Sequence, residues 1–305
     1  MTTVVAVGSA VLDRVYGLSN LPETDGGAFV REYEERAGGV AANVACALAA
    51  LDHDTGVVSR IGRDDAGDRV LASLGNRGVD AAGVRRGDDP TSYCLVLRGP
   101  DGDRMIVAGG DSVPGLRLAD ADRQRLRDAD CVFTSAYAPD EVVRDLVAMR
   151  EAGEIAALAF DLAGSLSELD GRGATPEAID EAAATADLFV TNEVAARSYL
   201  GVAPDIAARN VQDAGAGRVA VTVGSDGAYL ADGSGVEHIP AVDADVVDTT
   251  GAGDAFTAAL VHAWLLGDAT ATRAGRVAAA AAARNCTSEG ARGALATRED
   301  LPSVE

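Results

Sequence analysis

The stretch DTTGAGDAFTAAL (248–260) places two glycines, Gly251 and Gly253, directly before an acid, Asp254, and a segment of helical composition. Glycines let a ligand approach the backbone closely, and the first N–H groups of a helix have no partner within the helix. These N–H groups and the helix dipole favour an anion, such as a phosphoryl group in transfer, while a carboxylate beside them can take the proton of an attacking hydroxyl. The alternative is a strand-to-helix turn in which Asp254 only favours the helix N-terminus.

A second glycine pair favours phosphoryl transfer. Gly38 and Gly39 precede another helical segment with Asn43 one turn in, and Asp13 follows the first run of strand type. Asp and Asn side chains can hydrogen-bond the vicinal hydroxyls of a sugar. For each residue alone a cap or turn is the more common role, but all of them fall near predicted carboxyl ends of strands, where open α/β sheets bind ligands.

The elements that must position these residues alternate along the chain. Short β-branched runs are predicted as strands at 3–8, 55–62, 130–135, 155–161, 187–192 and 218–224. Alanine-rich segments are predicted as helices at 39–52, 66–78, 139–153 and 176–186, and two more follow between 253 and 284 with a break near Gly267 and Asp268. Strand-then-helix alternation predicts a mostly parallel sheet that is covered on both faces.

Two polar segments, 11–36 and about 91–108, interrupt this alternation. Their short alternating runs predict the strands of a small sheet that projects from the main layer, and Pro100–Asp103 is predicted as a hairpin turn. A projecting sheet beside a ligand crevice would act as a lid, whereas elsewhere it would only decorate the surface.

Several common ways of binding phosphate are excluded by motif. The opening strand is not followed by the G-x-G-x-x-G fingerprint of dinucleotide-binding proteins. The chain contains no Lys, which a Walker A loop and a protein-kinase site both require. Any phosphate chemistry must therefore use backbone N–H groups, Arg or a metal.

The charge balance excludes other partners. The 26 basic residues, all Arg, face 48 acidic ones, for a net charge of -22. Such a surface repels nucleic acid and anionic membranes, so neither is expected as a partner. An acidic, lysine-free surface resembles that of proteins from a salt-saturated cytoplasm, which suggests a halophilic source. No secretion signal is recognised and the four cysteines form no C-x-x-C pair, so we expect a cytoplasmic protein with free thiols.

The combination of motifs resembles the ribokinase-like, PfkB-type family of sugar and nucleoside kinases. GGVAANVACALAALDHDTGVVSRIGRDDAGD is similar to the family's N-terminal signature and DTTGAGDAFTAALVHAWLLG to its C-terminal one. TVGSDGAYL resembles the nucleotide-site stretch between them, and the tail AARNCTSEGARGALATREDLP fits in order and spacing. The resemblance implies a ribokinase-like three-layer α/β/α fold, formed as one domain over residues 1–305, with a mostly parallel central sheet and a small β-sheet lid from about 11–36 and 91–108.

The resemblance also implies roles for individual residues. The catalytic base would be Asp254, and the anion hole would be formed by the N–H groups of Gly251, Ala252 and Gly253. The substrate hydroxyls would be held by Asp13, Gly38, Gly39 and Asn43. The ATP site would be bordered by Asn192, Thr222, Gly224, Ser225 and Gly227. Some members bind a monovalent cation such as K⁺ behind the anion hole, and the matching positions are Asp248, Thr250, Asn285, Ser288 and Gly290.

One position departs from the family pattern. Members often carry N-x-x-E at a strand end, where the Glu helps to place Mg²⁺, but here Asn192 is followed three residues later by Ala195. Glu193 is adjacent to Asn192 and does not occupy the position of the family's Glu. Mg²⁺ is still expected as a cofactor, because ATP brings its own metal.

We therefore expect an ATP-dependent phosphotransferase that phosphorylates a hydroxymethyl group of a small sugar. A nucleoside kinase is the main alternative, because both substrates offer a ribose-like hydroxyl; Tyr93 and Tyr137 are candidates to line the pocket, although packing with a bonded hydroxyl is the commoner role. A non-catalytic sugar or nucleotide sensor is the third reading, motivated by Ala195. The free edges of a lid sheet also suggest a homodimer formed through the lid.

Overall fold

The computed structural model describes residues 2–101 and 103–303, so Gly102 of the predicted hairpin turn lies outside the described residues. The strands are β1 (Thr3–Val7), β2 (Val11–Leu18), β3 (Val30–Gly38), β4 (Asp54–Ile61), β5 (Asp80–Arg86), β6 (Tyr93–Arg98), β7 (Arg104–Gly109), β8 (Cys131–Ser135), β9 (Leu158–Asp161), β10 (Leu188–Asn192), β11 (Arg218–Thr222), β12 (Ala228–Asp232) and β13 (Gly235–Ile239). The helices are α1 (Val40–Ala50), α2 (Asp65–Gly75), α3 (Asp120–Arg127), α4 (Asp140–Glu151), α5 (Leu166–Leu169), α6 (Pro176–Thr185), α7 (Glu193–Leu200), α8 (Pro204–Ala214), α9 (Ala252–Leu260) and α10 (Ala271–Asn285).

The main sheet has the strand order β13-β12-β11-β10-β9-β8-β1-β4-β5 among the described residues. Along this order, the seven strands between the β5 edge and β11 pair in parallel. The hairpin β12–β13 adds two antiparallel strands at the other edge. The inner strands are apolar and buried on both faces, as in Cys131–Ser135, which is the pattern of a parallel sheet covered by helices on each side. All six predicted strands are confirmed.

Each face of the main sheet is covered by a separate hydrophobic cluster. Residues of α1, α9 and α10 pack on one face around Trp264 and Phe133, and residues of α4, α6 and α8 pack on the other around Phe160 and Phe189. The predicted α/β/α layering is therefore confirmed. No helix among the described residues is long and apolar enough to cross a membrane.

The strand β1 is the switch point of the sheet. Its neighbours are β4 on one side and β8 on the other. The chain adds β4 and β5 on the first side, and then β8 and the later strands on the second. A crevice opens at the carboxyl end of such a strand, because the connections on either side diverge. Here that end leads through Gly8 to β2 and Asp13.

The two polar segments form a separate four-stranded sheet with the order β3-β2-β6-β7, which we call the lid sheet. The strands β2 and β6 pair in parallel, and the two hairpins pair antiparallel. The register sets Asp13 opposite both Arg36 and Cys94, so these three side chains share one face of the sheet.

The helical prediction between 253 and 284 holds with two differences. The first helix, α9, begins one residue earlier at Ala252, and a π-helical turn follows it over Val261–Leu265. Several elements were not predicted, among them α7, α8 and the hairpin β12–β13. Their segments are short and more polar, so periodicity alone does not reveal them.

Candidate active site

The glycine-rich turn and Asp254 lie at the start of α9. Gly251 caps the helix with a left-handed φ of 76°, and a Cβ atom there would lie 2.5 Å from Cα of Ala291, so only glycine fits. Gly253 is exposed and has open space around it. The turn is therefore accessible and is not sealed within the core.

The helix N-terminus leaves main-chain donors free. The ladder of α9 begins with the N–H of Ala255, which donates to the carbonyl of Gly251 at 2.9 Å. The N–H groups of Gly253 and Asp254 therefore have no partner within the helix. The N–H of Ala252 points back to the carbonyl of Thr249 at 3.3 Å, so this member of the predicted anion hole is partly engaged.

Asp254 is partly buried and is held by the helix that follows the other glycine pair. Nδ2 of Asn43, in α1, donates to Oδ2 of Asp254 at 2.7 Å. Burial raises the pKa of Asp254 to about 7, against the lowering effects of the Asn43 hydrogen bond and the charge of Arg292. A carboxyl with this pKa can exchange a proton near neutral pH, as a general base must.

Asp13 lies in the same pocket. Its carboxylate rests directly against Gly38, where a Cβ atom would overlap it, and Gly39 caps α1 beside it. Burial raises the pKa of Asp13 to about 6, and the charge of Arg292 opposes the shift. The structure thus brings together the four residues that were predicted to hold substrate hydroxyls, next to the predicted base.

Two charged residues of this pocket were not anticipated from the sequence. The buried guanidinium of Arg292 donates from Nε to Oδ1 of Asn43 at 2.7 Å and from Nη2 to the carbonyl of Gly38 at 3.1 Å. Asp161, at the carboxyl end of β9, is also buried. Burial and the charge of Asp254 raise the pKa of Asp161 to about 7.

Neither residue belongs to a stretch with a recognisable spacing. Arg292 follows a loop of small residues, and Asp161 ends a strand as many acids do. Only the resemblance of the tail, 282–302, to the family could have drawn attention to Arg292.

The residues predicted to border ATP lie at the ends of β10 and β11, which β9 and β8 separate from β1. Asn192 pairs in register with Thr222, and Gly224–Asp226 forms a tight helical turn directly after β11. The side chain of Asn192 caps α7, accepting from the N–H of Ala195 at 2.9 Å and donating to the carbonyl of Ala163 at 2.7 Å. Asn192 therefore caps a helix. The residues predicted to border ATP lie apart from those predicted to hold the substrate.

Ala195 is buried in the core, so no carboxylate replaces the missing Glu there. The adjacent Glu193 accepts a hydrogen bond from Arg197 at 2.6 Å one turn along α7. Among residues 2–101 and 103–303, no cluster of three or more His, Cys, Asp or Glu side chains could hold a metal ion.

Four of the five residues suggested for a monovalent cation are joined by hydrogen bonds behind the turn. Oδ1 of Asp248 accepts from N–H and Oγ1 of Thr250 at 2.9 and 2.6 Å, and Oδ2 accepts from the N–H of Gly290 at 2.9 Å. Nδ2 of Asn285 donates to the carbonyl of Thr250 at 3.0 Å. Ser288 lies in the adjoining loop beside Gly293.

The two candidate tyrosines differ in their surroundings. The hydroxyl of Tyr137 donates to Oε2 of Glu168 at 2.9 Å, in keeping with the packing role. The ring of Tyr93 lies 4.6 Å below the guanidinium of Arg14 on the lid sheet. The two rings do not form a stacked pair.

Comparison with known proteins gives a consistent picture. The family model "pfkB family carbohydrate kinase" matches residues 1–298. The chain is 34% identical over 298 residues to an ATP-dependent ribose-1-phosphate kinase of Halopiger xanaduensis, which covers 96% of this chain and 95% of that protein. It is 30% identical over 273 residues to an aminoimidazole riboside kinase of Salmonella typhimurium, covering 86% and 80% of the two chains.

A solved structure agrees with the fold. Arabidopsis thaliana ribokinase complexed with ribose and ATP superimposes with a TM-score of 0.79 at 26% identity, over 99% of this chain and 96% of that one. The family match over nearly the whole length, together with the 34% identity, shows that this chain belongs to the pfkB family of carbohydrate kinases.

Proposed function

We propose that this protein transfers the γ-phosphoryl group of ATP to a hydroxymethyl group of a small sugar, with Asp254 as the general base. The observation that carries the proposal is the position of Asp254, partly buried, with a pKa of about 7, held by Asn43 and adjacent to free N–H groups of α9. A substrate hydroxyl between this carboxylate and the phosphoryl group would lose its proton to Asp254 as the bond to phosphorus forms.

The N–H groups of Gly251, Ala252 and Gly253 would receive the negative charge that moves with the phosphoryl group. The exposed Gly253 has open space around it, which supports close approach by phosphate oxygens. Donors aimed at developing charge are typically worth about 10²–10³ in rate each. Closure of the lid sheet would exclude water and so limit hydrolysis of ATP.

Asp13, Gly38, Gly39 and Asn43 would bind the sugar hydroxyls. The partly buried carboxylate of Asp13 and the fixed carboxamide of Asn43 offer acceptors and donors on adjoining walls. ATP would lie along the ends of β10 and β11, bordered by Asn192, Thr222, Gly224, Ser225 and Gly227. Mg²⁺ would enter with the ATP phosphates, because Glu193 is engaged by Arg197 and position 195 is apolar.

The substrate is proposed to contain a ribose ring. The relatives named for ribose 1-phosphate, for ribose and for aminoimidazole riboside share a ribose unit, and they differ in what is attached to it. A free or 1-phosphorylated pentose is our first candidate. A nucleoside is the second, favoured by the riboside kinase relative, although Tyr93 and Tyr137 offer no stacked aromatic pair for a base.

The test is a coupled ADP-release assay at high KCl concentration with ribose, ribose 1-phosphate, fructose, a sugar acid and nucleosides. We expect turnover with a ribose compound and a loss of ~10²–10⁴ in kcat for Asp254→Asn, with sugar binding largely retained. Asp213→Asn, an exposed acid on α8, is the matched control. Full activity of Asp254→Asn would refute the base assignment, and absence of ADP with every compound would favour a sensor.

We also propose a homodimer formed through the lid sheet. Its edge strands β3 and β7 expose several large apolar side chains: Val30, Tyr33, Met105, Ile106 and Val107. Exposed edges of this kind pair readily with another strand. Light scattering on a sizing column should give a dimer, and Ile106→Arg should give a monomer; a wild-type monomer at all concentrations would contradict this.

A further inference from the structure

Three arginines on the lid sheet converge on the turn that precedes the proposed anion hole; we call Arg36, Arg98 and Arg104 the lid arginines. Nη2 of Arg98 donates to Oδ2 of Asp248. Nη1 of Arg104 donates to Oγ1 of Thr250 at 2.9 Å and lies 4.0 Å from Oδ1 of Asp248. Nη1 of Arg36 lies 3.8 Å from Oδ2 of the same carboxylate.

The strand register aims these side chains at one place. Arg98 and Arg104 are directly opposite each other across the β6–β7 hairpin. Arg36, on β3, is opposite Asp13 on β2. Like charges at directly opposed positions destabilise a sheet unless a counter-charge lies between them. Asp248 is that counter-charge, and it belongs to the main body of the protein, not to the lid sheet.

Asp248 in turn holds the backbone of the turn. Its two oxygens accept from Thr250 and Gly290, which fixes the chain immediately before Gly251. Burial would raise the pKa of Asp248, but the hydrogen bonds from Thr250 and Gly290 and the charge of Arg98 lower it to about 2. The carboxylate is therefore ionised at neutral pH, and the positive charge that balances it is a guanidinium.

These residues fit a monovalent cation poorly. The carboxylate of Asp248 is occupied by four donors, and the carbonyl of Thr250 accepts from Asn285. A cation at Asp248 would also stand among three guanidinium groups. Oδ1 of Asn285 is buried without a hydrogen-bond partner among the described residues, but one free oxygen does not form the shell of a cation.

Besides Oδ1 of Asn285, a second buried group without a hydrogen-bond partner lies near Asp248, and this one is a donor. Nη1 of Arg36 lacks a hydrogen bond among the described residues and packs against Gly290. An unsatisfied donor attracts an anion and repels a cation. Both features indicate that this place is built around negative charge and already contains its own cations.

We propose that Arg98 supplies at Asp248 the positive charge that a bound monovalent cation would supply, so that turnover does not depend on which monovalent cation is present. Arg98 is then a positioning residue: it acts through Asp248 on the turn at Thr250 and Gly251. The inference rests on the proposed function, since it takes residues 251–253 as the anion hole. Because Arg98 belongs to the lid sheet, the turn receives this charge only when the lid lies over the main body.

The experiment compares wild type and Arg98→Ala in KCl, NaCl, CsCl and choline chloride at one ionic strength, with folding checked by circular dichroism. Wild type should give the same kcat in all four salts. In choline chloride, Arg98→Ala should lose ~10²-fold in kcat with a smaller change in the KM for sugar, because the turn is misplaced, and KCl should reduce this loss. Guanidinium chloride, at a concentration too low to unfold the protein, should restore part of the loss, which a merely structural role for Arg98 would not allow.

Arg31→Ala is the matched control, since Arg31 is an exposed arginine on the same sheet. It should behave as wild type. Thermal melting without substrate gives a second reading: K⁺ should raise the melting temperature of Arg98→Ala relative to choline by more than it does for wild type, because removal of the guanidinium opens Asp248 to a cation. Wild-type turnover or melting that depends specifically on K⁺, or an Arg98→Ala variant with full kcat, would overturn this inference alone. A wild-type protein that is inactive with every sugar would contradict the proposed function. The melting comparison would still test whether Arg98 takes the place of a cation at Asp248.

Discussion

Asp254 shares its pocket with two other carboxylates, Asp13 and Asp161, and with one guanidinium, Arg292. All three carboxyl groups have raised pKa values, to about 7 for Asp254 and Asp161 and to about 6 for Asp13, chiefly because they are buried. The pocket therefore holds protons at a pH where exposed acids have lost them. A carboxyl group proposed as a general base gains proton affinity in such a setting, and part of it remains ionised at neutral pH.

We predict that kcat/KM falls as the pH decreases through about 7, because protonated Asp254 cannot accept the substrate proton. The folded-state pKa is raised, so ionisation is completed only above that value. Asp161→Asn should move the midpoint of the profile to lower pH, since a neutral neighbour no longer opposes ionisation of Asp254. Steady-state rates measured across neutral pH will check both statements.

The control for the pH profile is Asp213→Asn, which should leave the midpoint unchanged. A flat wild-type profile across neutral pH would argue against Asp254 as the base. A midpoint that does not move in Asp161→Asn would mean that the two carboxylates are not coupled.

Arg292 is a residue of the candidate site whose position could not be predicted from the sequence. Its guanidinium fixes Asn43, which in turn fixes Asp254, yet it stands 249 residues from Asn43 along the chain. Burial of an arginine depends on three-dimensional neighbours, in this case Gly38, Asn43 and Ser73. Composition and spacing contain no information about such neighbours.

At the scale of elements, the two glycines at the N-terminus of α9 have different structural roles. Gly251 has a left-handed backbone and is pressed against Ala291, whereas Gly253 is helical, exposed and unobstructed. The first is thus required for the fold of the turn. The second is free to accept a side chain unless a ligand must come close.

We predict that Gly253→Ala raises the free energy of unfolding by about 0.5–1 kcal/mol, because alanine favours a helix. The same change should lower kcat/KM by ~10²-fold, because the methyl group obstructs phosphate oxygens at the proposed hole. Gly251→Ala should instead lower both, with about 1–2 kcal/mol lost to the left-handed conformation alone. Denaturant unfolding and kinetics at high KCl concentration will separate the two cases.

Gly233→Ala, in an open surface turn, is the control and should change neither quantity. Gly253→Ala with wild-type kcat/KM would contradict a phosphate site at this helix end. Equal destabilisation by both substitutions would contradict the different packing of the two glycines.

Elements were more predictable than contacts. The six predicted strands are confirmed because continuous apolar runs between glycines and polar turns are diagnostic of a buried parallel sheet. The two segments of the lid sheet were recognised because they break the helix–strand alternation. The convergence of Arg98 and Arg104 on Asp248 was not recognised, because it depends on the register of two sheets relative to each other.

At the scale of the whole molecule, the net charge of -22 opposes compactness. The arginines are distributed in ion pairs over the surface, as in Arg127–Glu154 and Arg150–Asp187, but acids outnumber them by 48 to 26. The surplus negative charge remains to be screened by counter-ions.

We predict that the melting temperature rises as KCl increases from about 0.1 M to 1 M, because the screening length falls from ~10 Å to ~3 Å and repulsion among the surplus acids weakens. Circular dichroism at constant pH will measure it. NaCl at the same ionic strength is the control and should give nearly the same rise, because screening depends on ionic strength. A melting temperature that is indifferent to salt would show that the acids do not repel one another appreciably.

The hydrogen bond between Asn43 and Asp254 joins residues 211 positions apart, and Arg292 adds a link from still further along. During synthesis the ribosome therefore exposes one wall of the proposed sugar pocket long before the other wall exists. If Asp254 is the base, a nascent chain has no assembled centre that could consume ATP until the segment from Gly251 to Arg292 has emerged and docked. A stop codon shortly before Asp254 would leave all the strands of both described sheets encoded, since the last of them ends at Ile239, but would remove the proposed base.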